Sequence, residues 1–338
     1  MTRAKSDHSG PRENDPLGVL SAAANMLLTT SLVTIDHDAI VRLAAEWASA
    51  PWPEKSGLDE LHFNDGTERT VNWILLLDAL NFCFWGEPGQ PRWRIEWRGA
   101  ALDGYAALAA ALTRGVEEGL PLWDARYLAD LTVDDLARIL RPMADAPPIP
   151  LFEARLANAR EVGAALLARY AGQFTRAIEQ VHGDAVALAR LLADEFPSFR
   201  DISLWRGESL PFLKRAQICV ADLHAGFNGE RWGAFRNFDQ LTAFADYKLP
   251  QLLRAVGVMV YAEGLAERVN ALTPISAGSE EEIAIRAATV YAVELLRRAL
   301  RARGVERTAS AIDYRLWDAS QRLGTAAPPY HRTRTIYY

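Results

Sequence analysis

Apolar residues recur at helical spacing along almost the whole chain. Ile40, Leu43, Ala44 and Trp47 make one stripe, and Phe152, Leu156, Ala159, Val162, Leu166 and Tyr170 make a longer one. The pattern predicts a mainly α fold. Two helix starts are marked by a hydroxyl three residues ahead of a carboxylate, Thr132 with Asp135 and Ser279 with Glu282, the pairing that satisfies free amides of a first turn. One stretch breaks the period. Gly86-Glu87-Pro88-Gly89 is turn chemistry, and Arg92 to Arg98 then alternates Trp93, Ile95 and Trp97 with charged residues, which predicts a small β-hairpin. Residues 142–150 hold four prolines and no helical pattern, so they mark the expected junction between two helical lobes of one domain over residues 16–338. A polar, flexible tail is expected over residues 1–15. No repeat with a period of roughly 20 to 50 residues is present, which argues against a solenoid.

Half of the 338 residues are hydrophobic, ample for a buried core. Only two cysteines occur, Cys83 and Cys219, each among apolar neighbours, so neither a disulfide framework nor a cysteine-rich zinc site is expected. The histidines show no helical metal-ligand spacing, which predicts a metal-free and cofactor-free mechanism. A net charge of −6 argues against a surface that tracks polymeric nucleic acid, since such binders cluster Lys and Arg. The most hydrophobic segments, such as Trp73 to Trp85, fall short of the roughly 20 apolar residues of a membrane span. A cytoplasmic protein with no membrane partner is the expectation.

Candidate chemistry concentrates between Leu210 and Val256. Pro211 suits the first turn of a helix running through Lys214, Arg215, Gln217 and Asp222 to a stop near Gly226. A second helix is expected near Asp246, because Pro250 cannot donate to the carbonyl of that residue. Asp246 is then an N-cap whose ionised form the helix dipole favours. A carboxylate so held can stabilise the positive charge that develops on a sugar ring as its base departs, orient water, or attack the anomeric carbon. On local sequence alone, a plain cap and a solvated Lys214 remain open readings.

Four segments carry a resemblance: Phe212-Leu-Lys-Arg-Ala-Gln217, Leu241-Thr-Ala-Phe-Ala-Asp-Tyr-Lys-Leu-Pro-Gln251, Asp78-Ala-Leu-Asn-Phe-Cys-Phe-Trp85 and His331-Arg-Thr-Arg-Thr-Ile-Tyr-Tyr338. In order and approximate spacing the chain resembles the queuosine-salvage protein family from about Pro16 onward. That family hydrolyses queuosine 5'-monophosphate to queuine, a 7-deazaguanine base, and its fold is similar to the helix-hairpin-helix DNA glycosylases. The resemblance implies that Asp246 acts on the sugar and that Lys214 positions Asp246 or the ribose. Where the family's eukaryotic members often have Arg, this chain has Lys248, which keeps the charge.

The other two segments supply expected binding groups. Phe82, Phe84 and Trp85 offer rings for stacking a planar base, and Asp78 or Asn81 could hydrogen-bond its edge or pair with the amine of the queuine arm. His331, Arg332 and Arg334 gather three potential cations within four residues, suitable for a terminal phosphate. Asp313, Trp317 and Asp318 lie on the expected last helix, with Asp313 a candidate for the ribose. Arg297, Arg298, Arg301 and Arg303 read as a solvated face. The expected partner is therefore queuosine 5'-monophosphate. The rival readings are a DNA-repair glycosylase and a non-catalytic queuine-binding protein.

Overall fold

The computed structural model describes residues 15–53 and 58–338, so the expected N-terminal tail lies outside the described residues except for Asp15. Its first half runs α1 (Val19–Leu27), β1 (Val33–Ile35), α2 (His37–Ser49), α3 (Glu68–Leu80), β2 (Arg94–Trp97), β3 (Ala100–Asp103), α4 (Gly104–Glu117), α5 (Ala125–Ala129) and α6 (Val133–Ile139). The proline-rich stretch then leads into α7 (Phe152–Tyr170), α8 (Thr175–Gln180) and α9 (Ala185–Glu195). Next come β4 (Ile202–Trp205), β5 (Glu208–Pro211), α10 (Lys214–Gly226), α11 (Lys248–Ala255), β6 (Met259–Tyr261), α12 (Glu263–Asn270), α13 (Glu280–Arg301) and α14 (Ala309–Gln321). The fold is mainly α, as the periodicity requires. No described helix is long and apolar enough to cross a membrane.

Three two-stranded antiparallel pairs interrupt the helices. The alternation of Trp93, Ile95 and Trp97 does bury one face of β2, with Glu96 exposed between. Its partner is β3, and the reversal is made by Arg98 and Gly99, both at positive φ, so the hairpin turn lies after the alternating run and not at Gly86–Gly89. A second hairpin joins β4 to β5 through Arg206 and Gly207, again at positive φ. Pro211 therefore ends a strand. Helix α10 opens three residues later at Lys214, after Leu213 has turned the chain through a left-handed conformation. The pairing of β1 with β6, 226 positions apart at Thr34 and Val260, has no local signature in the sequence.

At the centre lies α3, buried on every side from Thr70 to Leu80, which is the signature of a helix enclosed by protein. Among its buried polar side chains, Asn72 is fully used: it donates to the carbonyls of Trp123 and Gly172, at 2.9 and 2.8 Å, and accepts from the Phe174 amide at 2.8 Å. Around it, a continuous apolar core reaches from Leu17 to Leu316. The stripe of α7 that includes Leu156, Ala159, Val162 and Leu166 is buried as expected. The predicted caps hold: Thr132 and Asp135 complete a reciprocal capping box, and Ser279 accepts from the Glu282 amide.

Helices α5 and α7 touch backbone to backbone at Gly163. A Cβ built there would sit 2.3 Å from the Ala129 nitrogen and 2.5 Å from the Ala125 oxygen, and neither can move without unwinding α5. Gly163→Ala is therefore expected to destabilise the fold by about 2–3 kcal/mol, the upper part of the usual range for overpacking, despite alanine's better helix propensity. Urea unfolding followed by circular dichroism checks this.

Candidate active site

Helix α3 ends inside the protein, where the carbonyls of its last turn lack helical partners. Two buried arginines meet them. Arg155 of α7 donates to the carbonyls of Leu80 and Cys83, both at 3.2 Å, and to that of Phe82. Arg215 of α10 donates to those of Asp78, at 3.0 Å, Ala79 and Ser198, while Asn158 adds a bond to Ala79 at 2.9 Å. Burial pulls the two guanidinium groups down to about 9 and about 10, which leaves both cationic at neutral pH, where they complement the negative end of the helix dipole. The segment that follows is thereby fixed. Cys83 adopts a positive φ of 42° and donates its amide to the Tyr338 carbonyl at 2.9 Å, so Phe82 and Trp85 pack with it in a small cluster of their own.

A second anchor lies at the start of α10. The Asp201 carbonyl accepts the amides of Phe212 and Leu213, at 2.9 and 3.0 Å, and its Oδ2 accepts that of Lys214 at 3.0 Å. Onto the same carboxylate Arg286 of α13 places a two-pronged contact, Nη1 to Oδ1 at 2.8 Å and Nη2 to Oδ2 at 2.6 Å. Its Nε donates to the Ala245 carbonyl at 3.2 Å, one residue before Asp246. Burial alone would lower the Arg286 pKa, but Asp201 and then Glu282 hold it above the ordinary arginine value. One guanidinium thus ties the helix end bearing Lys214 to the loop bearing Asp246.

That loop is held along its length. Gln217 accepts the Thr242 amide at 2.8 Å, and Asp313 of α14 accepts the Phe244 amide at 2.7 Å. Asp246 Oδ1 then accepts the amides of Lys248 and Leu249, both at 2.8 Å, and α11 begins. Asp246 caps the helix as the sequence suggested, but from one residue before the N-cap position, which Tyr247 occupies. The balance of its ionisation differs from the expectation, however: burial pushes its carboxyl pKa up, and Lys214, the two capping amides and Lys248 offset this only in part. Reciprocally, burial lowers the Lys214 amine, and Asp246 is the strongest charge opposing that.

Both side chains line a cavity of about 380 Å³, within the range that takes a small ligand. Its wall also includes Asn81, Phe82, Phe84 and Trp85 from the segment after α3, Asp313 and Trp317 from α14, and Arg92, Tyr105, Lys248 and Tyr330. The stripe Lys214, Ile218 and Asp222 contributes one face of α10, each residue one turn from the next. Most of the expected base-pocket residues are thus brought together with Asp246 and Lys214.

Four are not. Asp78 is wholly buried behind the wall, against the Cys219 thiol, and is not a lining residue. His331 is buried away from the cavity beside Tyr338, at 3.3 Å from its hydroxyl, and burial with the nearby Arg286 pulls its pKa down to about 3, so it is no cation at neutral pH. Arg332 donates to the Gly86 carbonyl at 3.0 Å, and Arg334 pairs with Glu87 at 2.5 Å. Both guanidinium groups lie over the Trp85 ring, at 5.3 and 4.5 Å from its centroid, and neither lines the cavity. The segment docks as its apolar end suggested, but it braces the aromatic wall from behind. Asp318 pairs with Arg322 at 2.7 Å; of the run expected to form a solvated face, Arg301 and Arg303 are exposed, whereas Arg297 and Arg298 clasp the buried Glu294 at 2.8 and 2.9 Å.

Besides Lys214, two cations line the cavity that sequence reasoning did not assign to the phosphate. Arg92 lies 3.4 Å from both Asp103 and the Tyr330 hydroxyl, and Lys248 sits 5.5 Å from the Tyr330 ring centroid. Burial lowers the Lys248 amine and Arg92 lowers it further, the mark of two positive charges facing each other. Arg92 had been read only as the start of a strand.

A half-open pocket that combines aromatic walls with a capped carboxylate and a buried amine has the make-up of an enzyme site for a small ligand. The comparisons with known proteins agree. A family model described as queuosine salvage protein matches residues 61–338, and the chain belongs to that family. It is 49% identical over 324 residues to a protein of Sphaerobacter thermophilus, covering 96% of this chain and 98% of the other. It is 35% identical over 333 residues to a protein of Bos taurus, covering 94% and 97%. Both relatives are named queuosine 5'-phosphate N-glycosylase/hydrolase.

The uncharged burial of His331 has a measurable consequence. Its pKa is about 3 when folded and near 6.5 when unfolded, so acid protonates the unfolded chain first. The stability it contributes is complete above about pH 6.5 and is lost as pH falls toward 3. Against His331→Gln, the parent should lose roughly 2–3 kcal/mol more between pH 7 and pH 4.5, by urea unfolding at each pH.

Proposed function

We propose that this protein hydrolyses the N-glycosidic bond of queuosine 5'-monophosphate, releasing queuine and ribose 5-phosphate. The observation that carries the reading is Asp246, a carboxylate on the cavity wall with one oxygen pinned by two backbone amides and a buried lysine as its chief counter-charge. The names of the relatives supply the substrate.

With Oδ1 occupied by the capping amides, Oδ2 is the oxygen that serves the reaction. As the C1'–N9 bond lengthens, positive charge grows on the ribose and a negative carboxylate beside it lowers the barrier. The same oxygen can take a proton from the attacking water, a task for which a carboxyl pKa raised by burial is better matched than an exposed one. The charge of Lys214 favours the ionised form of Asp246 against the effect of burial. Phe82, Phe84 and Trp85 provide the surfaces against which a flat base stacks, and Asn81 an amide for its edge.

The phosphate belongs with Arg92 and Lys248, in place of the C-terminal cations. Two positive groups that face each other in a half-buried wall are relieved by a dianion between them. Contacts to the phosphate, remote from the breaking bond, orient C1' toward Asp246 and water.

Asp246→Asn is expected to keep the fold to within about 1 kcal/mol, since an amide oxygen can still cap, while base release falls by at least about 100-fold. Chromatography of queuine released by the purified variant checks the activity, and thermal unfolding the fold. Arg92→Ala and Lys248→Ala should each cut kcat/KM for the 5'-monophosphate by about 10-fold or more and leave the poorer turnover of the nucleoside nearly unchanged. Equal losses on both substrates would move the phosphate elsewhere.

A further inference from the structure

Three side chains outside the set considered so far form a line from the surface to the cavity. Asp59, roughly half exposed, places Oδ1 2.6 Å from Nδ1 of His62. Nε2 of the same ring lies 2.9 Å from the hydroxyl of Tyr105, and Tyr105 lines the cavity. The His62 side chain is 9% exposed and packs edge-on against the buried Trp73, so the imidazole is held in its plane. Tyr105 is set by the start of α4 and by the edge of Trp317, another wall residue. The Asp59 amide also approaches Nδ1, at 3.3 Å, but the shorter carboxylate contact decides the tautomer: Nδ1 carries a hydrogen toward Asp59. Nε2 is then left to exchange a proton with the phenol.

The proposed reaction has a need that Asp246 and Lys214 do not meet. A 7-deazaguanine has carbon where a purine has N7, so the usual protonation site of a departing purine is missing and N3 or O6 must take its place. A donor on the base side is required, whereas Asp246 acts on the sugar and its water. We propose that Tyr105 is that donor, a catalytic residue that protonates the departing base and is itself reprotonated by His62 held on Asp59. This rests on the functional reading above.

The step balances. The C1'–N9 electron pair leaves with the base, the Tyr105 hydroxyl proton passes to the base, and the Nε2 proton of the His62 imidazolium passes to the phenol oxygen. Water forms the new C1'–O bond and gives its proton to Asp246. Afterwards Asp246 returns a proton to solvent, and Nε2 of His62 regains one from solvent in the vacated cavity by way of the Tyr105 hydroxyl, while Nδ1 keeps its hydrogen toward Asp59. Burial first, and then the charges of Asp222 from α10, Asp78 from α3 and Asp59, push the Tyr105 hydroxyl well above its ordinary value, so the phenol recovers its proton after each turnover. His62 itself meets Asp59 and Tyr105.

The test compares parent, Tyr105→Phe, His62→Gln and the double variant across pH 5 to 9, with queuine release from queuosine 5'-monophosphate measured by chromatography and folding by thermal unfolding. Loss of a general acid is expected to lower kcat by about 100-fold in either single variant. The double variant should fall no further than the worse single one, because both act in one chain. The pH profile of kcat should change shape in both single variants, and the two altered profiles should match each other. A variant that loses activity but keeps the parent's profile, or one that keeps full activity, overturns the assignment. Should Tyr105→Phe fold poorly, His62→Gln, which leaves the ring and its packing intact, decides alone. Absence of queuine release by the parent would instead refute the functional reading itself.

Discussion

The two-pronged contact between Arg286 and Asp201 is the constraint on which the site depends. Both side chains are almost fully buried, at 1% and 2% exposure, so the pair exists only because each charge is answered at bonding distance. Its value lies in what else the two groups hold. Asp201 caps α10 at Lys214, and Arg286 grips the carbonyl before Asp246. A hydrophobic pair of equal volume could match its stability, but could not fix a helix end and a loop relative to each other with directional bonds. The ring of Phe212 lies beneath the guanidinium at 3.9 Å and that of Tyr338 at 4.5 Å, which keeps water from competing for those bonds.

The same logic recurs at the end of α3. A helix that stops in the protein interior leaves carbonyls that water cannot reach, and Arg155, Arg215 and Asn158 answer them. Those donors lie on α7 and α10, so the aromatic segment after α3 is positioned by the same helix that presents Lys214. The stacking wall and the reacting groups are therefore parts of one rigid frame. The C-terminal segment completes it: Tyr338 receives the Cys83 amide and donates its hydroxyl to Glu282 at 2.9 Å, next to Arg286.

Much of this was legible in the sequence, and the failures have physical causes. Helical periodicity, the two caps and the exposed-buried alternation around Ile95 are local properties, and they were read correctly. Asp246 was found because Pro250 marks a helix start by its missing donor. Pro211 was misplaced because a proline serves a strand end as well as a helix start, and the left-handed turn at Leu213 leaves no mark in composition. The C-terminal cations show the limit of reading charge as function. His331, Arg332 and Arg334 looked like a phosphate cradle, yet whether a cation faces a cavity or the back of a tryptophan is set by contacts across more than 240 residues. Arg92, conversely, sat in a strand pattern that disclosed nothing of Tyr330.

The arrangement of charge around Asp246 also bears on why a phosphate far from the breaking bond would matter to chemistry. Lys248 is one of the groups that hold the Asp246 carboxyl down against the upward push of burial. If a phosphate dianion takes up Lys248, as the functional reading requires, that pull is partly cancelled and the carboxylate becomes more basic. The pull of Lys214 on the carboxyl would remain. Occupancy of the basic wall would thus do two things at once: orient C1' and strengthen the group that accepts the water's proton. A nucleoside lacking the phosphate would lose both, so its deficit should appear in kcat as well as in KM, as expected when remote binding energy is expressed in the transition state.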